Sequence, residues 1–138
     1  MTDPLSISTS AVALLAACRS IGQFIATLIR EKGPDSTIDA LRADVDSLST
    51  DVALVRDNRN TTQSSSVQQN VNIWKRIETE QHDCDKTLRE LKDFLMPLRR
   101  DVRSAIVIQL RSETVQGLRA RISKHQQSLH FYVTLIVK

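Results

Sequence analysis

Apolar residues recur along this chain at alternating steps of three and four. Between residues 36 and 55 they fall at Ile38, Leu41, Val45, Leu48, Val52 and Val55. Side chains three and four apart share one face of an α-helix, so this spacing predicts an amphipathic helix with a narrow apolar seam. The rhythm returns at Trp74, Ile77, Gln81, Cys84, Leu88, Leu91, Leu95 and Leu98, and again at Val115, Leu118, Ile122, His125, Leu129, Tyr132 and Ile136. The opening segment differs. On a helical wheel Leu14, Cys18, Ile21, Ile25 and Leu28 form one stripe, with Leu15 and Ile29 beside it. Ala16, Arg19, Gln23 and Arg30 lie opposite, which leaves an apolar face wider than a seam.

Start and stop signals divide these stripes into elements. Asp3-Pro4 reads as a helix start, with Asp as the cap and Pro in the first turn; Ser8 and Ser10 are competing caps. Gly33-Pro34 ends the first helix. Ser36 is expected to cap the second, with Asp39 in capping-box register. Residues 57–70 are polar and read as a mobile loop, after which Ser65 or Ser66 caps the third helix. Pro97 is expected to kink or end that helix. Ile106, Val107 and Ile108 have strand-like composition but no second strand to pair with, so the stretch "RRDVRSAIVIQLRSE" reads as helical. The last helix starts near Ser112.

Composition supports an all-α chain. Three Gly and three Pro in 138 residues leave little turn chemistry, so long uninterrupted elements are expected. The expected fold is a bundle of four to five helices in one domain, with three narrow-seamed helices wrapped around a central N-terminal helix. The closing "FYVTLIVK" ends amid apolar residues and suggests the N-terminal part of a longer protein. Cys18 and Cys84 both occupy core-like positions and read as reduced structural thiols.

The apolar opening admits several targeting readings. A secretory signal needs positive charge ahead of its apolar run, and the only charge before Arg19 is Asp3. Leu15-Ala16-Ala17-Cys18 looks like a lipoprotein processing site but lacks the same upstream charge. Without a secretion route the sequon Asn60-Thr61-Thr62 is simply polar loop. Residues 11–29 are about long enough to cross a bilayer, yet Arg19 sits near the middle, and a central Arg costs about 2.5–3.5 kcal/mol on insertion scales. The segment therefore suits a bundle, or a membrane after release from one.

No catalytic constellation is legible. His82 and Cys84 are two apart and His125 and His130 five apart, neither of which sets two metal ligands on one helical face. His125 reads as a seam residue with its nitrogens satisfied at the bundle edge. Phosphate-loop spacing is absent, so no cofactor and no enzymatic activity are expected. The net charge of +3 comes with two basic groups, Arg99, Arg100 and Arg103, then Arg119, Arg121 and Lys124. A nucleic-acid binder would carry a larger excess and a recognisable motif, so none is expected as a partner. Solvated helix faces account for both groups most simply. Anionic lipid headgroups are the functional alternative, with Arg99, Arg100 and Arg103 as the contact patch.

The stretch "DPLSISTSAVALLAACRSIGQFIATLIRE" resembles the start of the fungal HeLo-like N-terminal domains, which commonly open Asp-Pro-Leu-Ser-Ile and reach an Ile-Gly-x-Phe-Ile-like stretch. The second helix and the closing "ETVQGLRARISKHQQSLHFYVTLI" are similar to the family's second and last helices, so the resemblance covers nearly the whole chain. Such domains open STAND-type receptors, prion-signalling proteins and proteins of azaphilone-pigment clusters. The resemblance implies a cytoplasmic, non-enzymatic signalling or cell-death effector that self-associates and associates with membrane on activation. Residues 5–29 would be the membrane-directed helix, with Leu14, Leu15, Ile21, Phe24, Ile25 and Leu28 serving both packing and membrane contact. Here Arg19 and Gln23 interrupt that run. Two rivals stand beside this reading: a homodimerisation or adaptor module that never meets lipid, and a carrier of an apolar small molecule in the bundle core.

Overall fold

A computed structural model of the chain describes the backbone of residues 4–61 and 71–137 and the side chains of residues 10–57 and 72–135. It is an all-α bundle. Helix α1 spans Pro4–Lys32, α2 Ser36–Thr61 and α3 Val71–Leu95; a short 3-10 turn, Met96–Arg100, leads to α4, Arg103–Leu110, and then to α5, Glu113–Val137. No strand occurs among the described residues.

The periodic residues are the core. Leu14, Cys18, Ile21, Ile25 and Leu28 of α1 are buried, as is the α2 seam from Ile38 to Val55 and the whole third seam from Trp74 to Leu98. On α5 the buried line runs Val115, Leu118, Ile122, His125, Leu129 and then Val133; Tyr132, expected in that line, is half-buried beside it. Ile136 lies outside the residues with described side chains. Each fully buried Leu, Ile or Val contributes about 1.5–3 kcal/mol. An exposed ion pair adds about 0–1 kcal/mol, so the four seams decide the fold.

The helix directions follow from the contacts that join them. The short turn at 33–35 makes α1 and α2 antiparallel neighbours. Arg99, just after α3, pairs with Glu31 at the end of α1 (2.8 Å), so α1 and α3 run parallel. His125 meets Glu80 and Arg121 meets Glu90, so α3 and α5 are antiparallel. Asp44 holds Arg119 (2.7 Å) and Asp51 lies 3.9 Å from His130, so α2 and α5 are parallel. The helices thus form a four-cornered bundle with α1 diagonal to α5 and α2 diagonal to α3.

That arrangement corrects the expected position of α1. It is not wrapped by three helices but takes one corner, flanked by α2 and α3. A seam on each of four helices closes a square core, and a fifth shared interior position does not exist. The extra width of α1's apolar face therefore falls on its flanks, where Leu15, Phe24 and Ile29 are half-buried against the core.

The element ends differ from expectation at two points, the cap of α2 and the start of the polar loop, and agree elsewhere among the described residues. Helix α1 runs unbroken from Pro4, so Ser8 and Ser10 lie inside it rather than capping it, while Asp3 lies outside the described residues. The cap of α2 is Asp35, not Ser36. Its Oδ1 accepts from the Thr37 and Ile38 amides (2.8 and 3.3 Å) and its carbonyl from Asp39 (3.0 Å), which displaces the Ser36–Asp39 capping box. Asp outcompetes Ser because its charged oxygen also meets the positive end of the helix dipole. Residues 57–61, expected to open the polar loop, continue α2; residues 62–70, with Ser65 and Ser66, lie outside the described residues. Pro97 ends α3 at Leu95, as the missing amide requires, and the 3-10 turn that follows still buries Leu98. The strand-like Ile106-Val107-Ile108 is helical: Ile106 and Leu110 are buried four apart and Ile108 is 70% exposed, a helical rather than alternating pattern.

Gly33 sets the α1–α2 corner. Its amide donates to the Ile29 carbonyl (2.8 Å) and its φ is +95°. A Cβ there would lie 2.7 Å from Arg103 Nη1, whose guanidinium donates through Nη2 to the Pro34 carbonyl (3.1 Å). Gly33→Ala is expected to destabilise the fold by about 1–2 kcal/mol, since a Cβ is strained at positive φ and displaces Arg103. Gly22 and Gly117 lie mid-helix with open space where a Cβ would go, so alanine there is expected to add about 0.5–1 kcal/mol each. Thermal melts of the three single variants check the contrast; a stable Gly33→Ala would mean that the corner refolds without its left-handed residue.

Candidate functional site

Helix α1 carries the first candidate feature. Residues Ser10–Lys32 form a helix long and apolar enough to cross a membrane by length and composition, yet only 28% of its most apolar stretch is buried in the bundle. Four of the six residues expected on its functional face, Leu14, Ile21, Ile25 and Leu28, are fully buried; Leu15 and Phe24 are half-buried on its flanks. Ala16, Arg19, Gln23 and Arg30 are exposed, as the helical wheel predicts. Beside the stripe, Ser20, Phe24 and Thr27 line an open groove of about 270 Å³ against Lys92 and Met96. Phe24 is thus shared between core and groove.

The arginines of the first basic group gather at one end of the bundle, but not as three equivalent charges. Arg99 Nε donates to both oxygens of Glu31 (2.8 and 3.3 Å), so its charge is offset within the fold. Arg103 grips a neutral carbonyl at Pro34 and keeps its net charge. Arg100 is exposed, with no ion pair or hydrogen bond among the described residues. The second basic group is structural in two of three positions: Arg119 pairs with Asp44 and Arg121 with Glu90, which tie α5 to α2 and α3.

The polar chemistry of the molecule concentrates between α3 and α5. His125, 8% exposed, places Nδ1 2.6 Å from Glu80 Oε1 and Nε2 2.8 Å from the Thr87 hydroxyl. Thr87 Oγ1 lies 3.1 Å from the Asp83 carbonyl and accepts from Arg121 Nη2 (3.0 Å). His125 is therefore the seam histidine with both nitrogens satisfied that its sequence position predicts. One turn below Thr87, Cys84 is fully buried; burial pushes its thiol pKa well up, and the nearby charges of Glu80, Asp83 and Asp85 and the Cys18 thiol add to the shift. The donor atoms of Glu80, Cys84 and His125 lie within 4.8 Å of one another, one group with metal-type donors among the described residues.

Sequence reasoning missed this convergence because it spans two helices. Histidine spacing alone is uninformative here. The legible signal was the i, i+4 pair Glu80–Cys84 with Thr87 one turn on, which puts three heteroatom side chains along one strip of α3. That His125 would face that strip depends on the α3–α5 register, which no local pattern encodes. Comparisons with protein-family models, curated proteins and solved structures give no match to this chain, so the fold and these sites stand on their own geometry.

Proposed function

We propose that this chain is a HeLo-like, non-enzymatic effector or signalling bundle that self-associates and engages anionic membrane surfaces through α1. The observation that carries the reading is the character of that helix, which is long and apolar enough to cross a membrane. The opening motif shared with HeLo-like domains points the same way, and so does the siting of Arg100 and Arg103 near the C-terminal end of α1. On this reading the domain works from the cytoplasm and associates with membrane on activation.

The rival adaptor reading draws on a separate observation. Met96, Val102 and Ile108 are 52–70% exposed around the 3-10 turn and α4, an apolar surface that a protein partner would use without lipid. The carrier reading has less support, since the seams fill the core with side chains and the α1–α3 groove is open to solvent.

Vesicle binding tests the proposal. At low salt the full chain is expected to bind phosphatidylserine-containing vesicles, release entrapped dye, and ignore neutral phosphatidylcholine vesicles. With Arg99 offset by Glu31, Arg100 and Arg103 carry the headgroup attraction, at about 1 kcal/mol each near an anionic surface. Arg100→Gln with Arg103→Gln should then weaken binding by about thirtyfold, and Arg99→Gln should add little. High salt should mimic the double variant in wild type. Failure of the wild-type chain to bind anionic vesicles at low salt would transfer the assignment to the adaptor reading.

A further inference from the structure

We propose that Glu80, Cys84 and His125 form a binding site for a divalent transition-metal ion of the zinc class. The three side chains supply a carboxylate oxygen, a thiolate sulfur and an imidazole nitrogen, the donor types that zinc takes. They come from two helices that the packing of the bundle already holds in register. All three donor atoms lie within 4.8 Å of one another. In a tetrahedral site with bonds of about 2.0–2.3 Å, donors stand about 3.3–3.8 Å apart. Side-chain adjustments of an ångström or less therefore reach the required geometry. The Glu80–His125 contact opens from 2.6 Å as the ion comes between the two donor atoms and the proton of that hydrogen bond is released to solvent. Glutamate and thiolate together bring two negative charges, which match the ion.

The surroundings of the histidine fit a ligand role. A metal-bound imidazole is oriented by an acceptor for its other N–H. Here the Thr87 hydroxyl stands 2.8 Å from Nε2, and with its own hydrogen directed to the Asp83 carbonyl it is left to accept. That arrangement leaves Nδ1, the nitrogen facing Glu80, for the ion.

An entry path exists. Glu80, Thr87 and His125 line a surface cleft of about 330 Å³ with Asp83, Lys86, Arg121 and Lys124. Three cations against two carboxylates do not draw a metal ion in from a distance, so affinity must come from the three ligands. Cys84 is the deepest of them, and its thiol gives its proton to solvent as the metal–sulfur bond forms.

Cobalt(II) titration of the chelator-treated full chain tests the site. The expected result is saturation at one ion per chain, with the intense visible bands of a tetrahedral site and a near-ultraviolet thiolate-to-cobalt band, both removed by zinc. Zinc should also raise the melting temperature, since it binds the folded state alone. Cys18→Ala should keep every signal and Cys84→Ala should lose the thiolate band. Thr87→Val, which removes the acceptor for Nε2–H, should weaken affinity by about 10- to 100-fold. Absence of saturable one-to-one binding by the wild-type chain would overturn the proposal, and so would a thiolate band that survives Cys84→Ala. If circular dichroism shows Cys84→Ala to be unfolded, Glu80→Gln, at the edge of the cleft, decides instead: retained wild-type affinity overturns the site.

Discussion

Trp74→Ala is expected to lower the free energy of unfolding by about 3–5 kcal/mol, the largest single-residue effect in the molecule. Trp74 is 1% exposed and is the largest of the fully buried side chains. Its removal takes away the apolar area it buries and leaves a void that helical neighbours cannot close without sliding along their axes. Domains of this size are stable by only about 5–15 kcal/mol, so the variant should melt far earlier or fail to fold. Trp74 is also the sole tryptophan, so its fluorescence reports unfolding in every other variant. Leu88→Ala keeps that probe and is expected to cost about 2–5 kcal/mol. Leu54→Ala, at 38% exposure on α2, should stay within about 0.5 kcal/mol of wild type. Chemical denaturation followed by tryptophan emission measures the latter two directly; equal costs for Leu88→Ala and Leu54→Ala would mean that the α3 seam does not face the core.

Gln81→Met is expected to stabilise the protein, by about 1–3 kcal/mol. The substitution keeps the length and most of the shape of the side chain. It removes an amide whose two polar atoms are buried without partners among the described residues. Unmet donors and acceptors carry their full desolvation cost, whereas an apolar chain at the same seam position gains burial. The measurement is the denaturation midpoint of the metal-free protein. A loss of stability would show that Gln81 is satisfied by a buried water, since displacing such a water has its own cost. Gln81 is a polar residue at a seam position that three- and four-residue spacing marks as buried. Positions of that kind either specify register or serve a site.

The surface electrostatics add little to stability but do fix geometry. Arg99–Glu31, Arg119–Asp44 and Arg121–Glu90 join different helices across the corners of the bundle. Each pair has side chains that are a quarter to three-fifths exposed, so each is worth only a fraction of a buried leucine. Their effect lies in directing which basic residues remain available to an outside partner. Arg100 and Arg103 stay in that class and Arg99 does not.

Local pattern by itself determined that this chain is helical, roughly where four of its helices run, and most of the side chains that enter the core. Step sizes of three and four bind those assignments to helix geometry, and burial of the seams follows whatever the neighbours are. Gly33-Pro34 and Pro97 marked two ends correctly because each acts through its own backbone. The cap of α2 lies one residue before the expected position, since Asp35 and Ser36 are both competent caps and the charged Asp35 oxygen also meets the positive end of the helix dipole. Only the tertiary structure decided that α1 takes a corner, that Arg99 is spent on Glu31 while Arg100 is free, and that Glu80, Cys84 and His125 meet. Those outcomes depend on the register and angular setting of one helix against another. They are fixed by the summed packing of four seams, in which no single residue carries the instruction.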